Sequence, residues 1–134
     1  ARSTCCSSAS PPAPPDVPAL VVKVTCGTER VETLLQAFTV AATGAASGLD
    51  VSLWLTGDAT LHALTGTEDV EIPHSPPLSQ LRDAVLAAGT LTVCAQCAAR
   101  RDITEDALVP GARIAGAAAF VAEATAPDAT ALVY

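Results

Sequence analysis

The chain has 134 residues, half of them apolar, which is enough for one core and therefore one domain. Fourteen acidic against seven basic residues leave a net charge of −7, which argues against a protein gripping nucleic acid through many phosphate contacts. No apolar run approaches the ~20 residues of a membrane span; the longest, Ile114–Ala122, is interrupted by Gly116.

Residues 1–18, ARSTCCSSASPPAPPDVP, carry five prolines and no periodicity, and read as a flexible or polyproline-like tail ahead of a single domain at 19–134. Leu20-Val21-Val22-Lys23-Val24 predicts a strand buried on both faces. A helical period follows through Val31, Leu34, Leu35, Phe38, Ala42 and Ala45, with Thr28 placed to cap and Gly48 to stop it. Val51–Leu55 is the second strand. Thr56-Gly57-Asp58 then turns into a short helix at Leu61–Leu64, and the acids Glu68, Asp69 and Glu71 mark a solvated loop.

Ser75-Pro76 has the form of a helix start, Leu78, Leu81, Val85 and Ala88 of its buried stripe, and Gly89 of its stop. Thr90–Cys94 is the third strand and Ala95–Arg101 a short helix. Thr104–Leu108 reads as one more helical turn, Arg113–Ala115 as a strand, Ala117–Ala124 as a helix and Thr130–Val133 as a last strand. Strands alternating with helices predict an α/β fold: a five-stranded parallel sheet with helices on both faces, a three-layer α/β/α sandwich.

Cys94-Ala95-Gln96-Cys97 carries the clearest chemistry, because Cys94 ends a predicted strand and Cys97 lies in the first turn of the next helix. Unpaired helix N–H groups and the helix dipole stabilise a thiolate there, and the thiolate is the nucleophile. Arg100 and Arg101 follow Cys97 at helical spacing, so either can bring a positive charge to its sulfur. The alternative is plain packing, in which Cys94 and Cys97 are small buried hydrophobes. Cys26 before Gly27 reads as a buried apolar residue, and Cys5-Cys6 as low-complexity drift. His62 and His74 lie on different elements, so neither a metal nor a cofactor is expected. Nucleotide-binding and hydrolase motifs such as GxGxxG and GxSxG are missing.

The order VVKVT, VSLWLTGDA, PPLSQLRDAVLAAG, VCAQCAARRDI, ARIAGAAAFVAEA and ALVY resembles the DsrE/DsrF-like sulfur-relay family over residues 19–134. The resemblance implies a five-stranded parallel sheet between helix layers, a homo-oligomer (trimer or hexamer), and a persulfide-carrying cysteine at the position of Cys94. A second cysteine three residues on matches Cys97. Relatives typically continue with Arg-Gly, where this sequence has Arg101-Asp102. If the family's sheet order places the second strand between the first and third, Cys26 and Cys94 lie about 9–10 Å apart, beyond the ~7 Å of a disulfide.

Three readings follow. The first is a persulfide carrier working through Cys94, assisted by Cys97, Arg100 and Arg101, between sulfur-donor and sulfur-acceptor proteins. The second is a thiol–disulfide redox or sensing protein using Cys94 and Cys97, and the third a non-enzymatic oligomeric binding module. Neither nucleic acid nor membrane is an expected partner. Five cysteines, an odd number, and a start without a charged-then-apolar leader pattern suit a reducing compartment, the cytoplasm.

Overall fold

Period-two alternation in the central strands gives the sheet one aliphatic and one polar face. The computed structural model describes residues 17–134; most of the predicted tail, with Cys5 and Cys6, lies outside the described residues. Among these residues are five strands, β1 Ala19–Val24, β2 Asp50–Leu55, β3 Thr90–Cys94, β4 Arg113–Ala115 and β5 Ala129–Val133. The helices are α1 Val31–Ala46, α2 Leu78–Ala88, α3 Ala95–Arg100 and α4 Ala117–Ala124, joined by short 3-10 segments. All strand pairs are parallel, in the order β4-β3-β2-β1-β5, with helices on both faces of the sheet.

On one face, Val22, Val24, Val51, Leu53, Leu55, Leu91 and Val93 are fully buried against Leu34, Phe38, Leu81 and Val85 of α1 and α2. Each such side chain contributes about 1.5–3 kcal/mol, and this layer is the core. The register lays the opposite face out in rows: Val21 beside Ser52 and Thr90, then Lys23 beside Trp54, Thr92 and Arg113. Thr56 and Cys94 continue the second and third columns one step further. The continuous apolar run of β1 is thus buried on both faces only in part, since Val21 and Val22 are buried but Lys23 is half-exposed.

That polar face is covered by α4, none of whose residues is fully buried. Glu123 fastens it. Its Oε1 accepts from Ser52 Oγ (2.6 Å) and Trp54 Nε1 (2.9 Å), and its Oε2 from Arg113 Nη2 (2.6 Å). Arg113 Nε donates in turn to Thr92 Oγ1 (2.7 Å), and Phe120 meets the Trp54 ring edge-on at 5.4 Å. Burial works against a charged Glu123, but the hydroxyl, indole and guanidinium donors outweigh it and hold the carboxyl below its usual range.

Three local expectations change. Thr28 closes no cap; Gly27 precedes the first turn, and its N–H is taken by Glu29 Oε1 (2.8 Å). The second long helix starts at Leu78 rather than at Ser75-Pro76, because Asp69 reaches its first turn from across the loop. Asp69 accepts from Ser79 N–H (2.9 Å), Ser79 Oγ (2.5 Å) and Val70 N–H (2.8 Å), so it serves a helix start while remaining exposed in its loop, as do Glu68 and Glu71. Gly89 ends that helix with φ −142°, not through a left-handed turn.

His62 is buried in the 3-10 helical segment Gly57–Ala63 that follows β2, and Arg82 Nη1 donates to its carbonyl oxygen (3.2 Å). Burial foremost, then the Arg82 charge, lower its pKa against weaker pulls from Asp69 and Glu29. A lowered folded value means that the stability His62 contributes is complete above the unfolded pKa of ~6.5 and is lost as pH falls from there through the lower folded value. The thermal midpoint is therefore expected to drop between about pH 7 and pH 5, and His62→Gln to flatten that slope. A variant with the wild-type slope contradicts this assignment.

Candidate functional site

Cys94 is at once the last residue of β3 and the N-cap of α3, because the strand runs directly into the helix. At an N-cap the side chain faces the N–H groups of the second and third helical residues, here Gln96 and Cys97. No ordinary side-chain cap hydrogen bond closes there, which leaves those amides available to a negative sulfur. Burial is the largest single influence on the thiol and opposes ionisation. The Cys97 N–H, the Cys97 thiol, the Gln96 N–H and the Lys23 charge together overcome it, so the Cys94 pKa lies below that of an ordinary cysteine.

Cys97 is buried in the first turn of α3, and its Sγ accepts from the N–H of Gly57 at 3.2 Å. Gly57 follows β2 at φ +56°, where a Cβ would come within 2.9 Å of the Thr25 carbonyl oxygen. Glycine alone suits that position. The dipeptide Arg101-Asp102 follows, and Asp102 takes φ +53°, the left-handed conformation a glycine would supply. Aspartate tolerates it better than most residues.

Neither arginine is among the groups that act on the Cys94 thiol or line its cavity. Arg101 donates from Nη1 to the Cys97 carbonyl (3.1 Å), and its Nε and Nη2 hold Asp58 Oδ1 at 3.2 and 2.9 Å. Arg100 is exposed on α3. The cation that reaches Cys94 is Lys23 of β1, which the sequence reading did not single out. Its signal was one charged residue inside an otherwise aliphatic strand, and only the sheet's register sets it in the row of Trp54 and Thr92, one step before Thr56 and Cys94.

Cys94 opens into a cavity of about 130 Å³ lined by Lys23, Trp54, Thr56, Gln96 and Phe120. Lys23 Nζ lies 5.0 Å from the centre of the Phe120 ring. Cys26 takes no part: its thiol donates to the Arg30 carbonyl at 3.8 Å, and burial, then Glu29, push its pKa up. With β2 between β1 and β3, Cys26, Cys94 and Cys97 are all free thiols. Among the described residues no group of three or more His, Cys, Asp or Glu gathers in a metal-holding arrangement, and no helix is long and apolar enough to cross a membrane.

The sequence matches the DsrE/DsrF-like family over residues 20–130, nearly the whole described chain. The chain belongs to that family. Its fold is shared with the ychN protein from E. coli, at 20% identity and a TM-score of 0.65, with 88% of this chain and 99% of that one covered. The MTH1491 protein of Methanobacterium thermoautotrophicum is similar at 9% identity and the same TM-score of 0.65, over 89% of this chain and 100% of the other. Comparison with curated protein sequences finds no significant match. For this DsrE-like chain the family and its structural neighbours account for the parallel α/β sheet.

Proposed function

We propose that this DsrE-like protein is a sulfur carrier that holds a persulfide on Cys94. The observation that carries the reading is the position of Cys94: an N-cap thiol with a depressed pKa, open to a small cavity. In the step envisaged, the Cys94 thiolate attacks the outer sulfur of a donor persulfide R–S–SH. A new sulfur–sulfur bond forms at Sγ, the donor's bond breaks, and its electron pair leaves on R–S⁻. No net oxidation occurs, so no further reagent is needed. An acceptor thiolate takes the sulfur by the same exchange.

A second reading has its own support, the Cys97 thiol beside the Cys94 sulfur. The Cys97 thiolate can attack Cys94 Sγ of the persulfide and expel the outer sulfur as hydrosulfide, which closes a disulfide with no further reagent, or an oxidant can take two hydrogens from the dithiol pair. Intact-protein mass spectrometry after incubation with cysteine persulfide separates the two. The carrier reading expects the mass of one sulfur atom on wild type and on Cys97→Ser, and none at this site in Cys94→Ser. A protein that only loses two hydrogens, and needs both cysteines to do so, is a redox protein instead.

Self-association fits the surface. The edge strand β5 exposes Leu132 and Val133, the latter 64% accessible, beside Val121 of α4 at 55%. Such an open apolar edge is normally covered by another chain. A homo-oligomer, trimer or hexamer, with sulfur-donor and sulfur-acceptor proteins as transient partners in a reducing compartment such as the cytoplasm, completes the proposal. Sedimentation that finds only monomer at micromolar concentration counts against the assembly.

A further inference from the structure

Lysine in the middle of a sheet face ordinarily pairs with a carboxylate or extends to water. Lys23 does neither fully: it is half-buried, its ammonium lies over the Phe120 ring, and the ion pairs formed among the described residues leave it out. It shares the cavity of about 130 Å³ with the Cys94 thiol, and the Trp54 and Phe120 rings form the apolar walls. Aromatic walls exclude water, and a cation in such a place acts strongly on any anion that enters.

Resting on the sulfur-carrier reading, we propose that Lys23 is the residue that holds the terminal sulfur of the Cys94 persulfide as an anion, making the cavity selective for the hydropersulfide end of a donor. A sulfur added to Cys94 extends beyond Sγ into this cavity. A hydropersulfide is a stronger acid than its parent thiol, so the added group sheds its proton, and the negative charge then rests on the outer sulfur. The Gln96 and Cys97 amides serve the thiolate before transfer; the Lys23 ammonium, which shares the cavity, serves the outer atom afterwards. The cavity also sets size. It accommodates the two sulfur atoms of a hydropersulfide end, while a larger donor body stays outside.

The attraction of Lys23 for a charged Cys94 points the same way. Arg100 and Arg101 are poor candidates for this role, since Arg101 is spent on Asp58 and the Cys97 carbonyl, and Arg100 faces solvent.

The test compares wild type, Lys23→Met, Lys23→Gln and Lys23→Arg after loading with cysteine persulfide and removal of excess reagent. The fraction of Cys94 that retains sulfur is followed by mass spectrometry, with circular dichroism confirming the fold of each variant. Lys23→Met and Lys23→Gln are expected to lose the sulfur about tenfold faster, and Lys23→Arg to keep it within about threefold of wild type. Retention at the wild-type rate in both neutral variants overturns the role of Lys23 and leaves the carrier reading standing. A wild-type Cys94 that takes up no sulfur overturns both. Equal losses in the arginine and neutral variants also overturn the proposal, because a retained charge then confers nothing.

Discussion

Gly89→Ala is expected to destabilise the fold by roughly 2–3 kcal/mol, read as a lower urea midpoint at an unchanged slope. Gly89 joins α2 to β3, and a Cβ built there lies 2.6 Å from the Val51 carbonyl oxygen and 3.3 Å from that of Val85. Neither contact is with a flexible side chain, so relief requires β2 and β3 to part next to the Ser52–Thr90 pair. The dihedral itself, φ −142°, is open to alanine. Alanine recovers about 0.4–1 kcal/mol by restricting the unfolded chain, well short of the steric cost. Gly66→Ala is the control, since φ is +86° there with nothing within 4 Å, and its cost is conformational only. Equal midpoints for wild type and Gly89→Ala would falsify the close approach.

This glycine also shows where sequence reading works and where it stops. The end of the helix was legible at Gly89, but the reason was not, because Val51 lies nearly forty residues away and the contact is backbone to side chain position. The strands and the alternation of strand with helix came from local periodicity, whereas the second strand's place between the first and third was implied only by the family resemblance. Caps did not: Ser75-Pro76 has the better local pattern, yet Asp69 supplies the acceptor from ten residues before Ser79. The candidate site divides along the same line. Cys94 and Cys97 were readable from one strand–helix junction, whereas Lys23 and Phe120 enter the cavity only through strand pairing and the return of α4. Adjacent charge in the sequence pointed to Arg101, whose guanidinium the structure gives to Asp58. Asp102 stands where the resemblance led to the expectation of a glycine, and it adopts a left-handed conformation of the kind glycine favours.

Glu123→Ala is expected to cost about 2–3 kcal/mol and to open the Cys94 cavity. Because α4 buries no residue fully, its seat depends on one carboxylate and one aromatic ring. Removing the carboxylate strands three donors at once, Ser52 Oγ, Trp54 Nε1 and Arg113 Nη2. The indole N–H is the most costly of these, since Trp54 is buried and water reaches it poorly. With its anchor gone, α4 no longer presses Phe120 against Trp54, and the wall facing Cys94 loosens. Two readouts follow. A bulky maleimide should label Cys94 faster in Glu123→Ala than in wild type, while the thiol pKa changes little, because the Gln96 and Cys97 amides and Lys23 belong to other elements. Glu123→Gln retains one acceptor oxygen for Ser52 and Trp54 but loses the Arg113 ion pair, and should fall between the two. Acid acts on the same joint: since Glu123 titrates below its ordinary value, its stabilisation is complete above ~4.3 and is lost as pH falls through the lower folded value. A Glu123→Ala protein with the wild-type midpoint and the wild-type labelling rate would mean that Phe120 alone seats the helix.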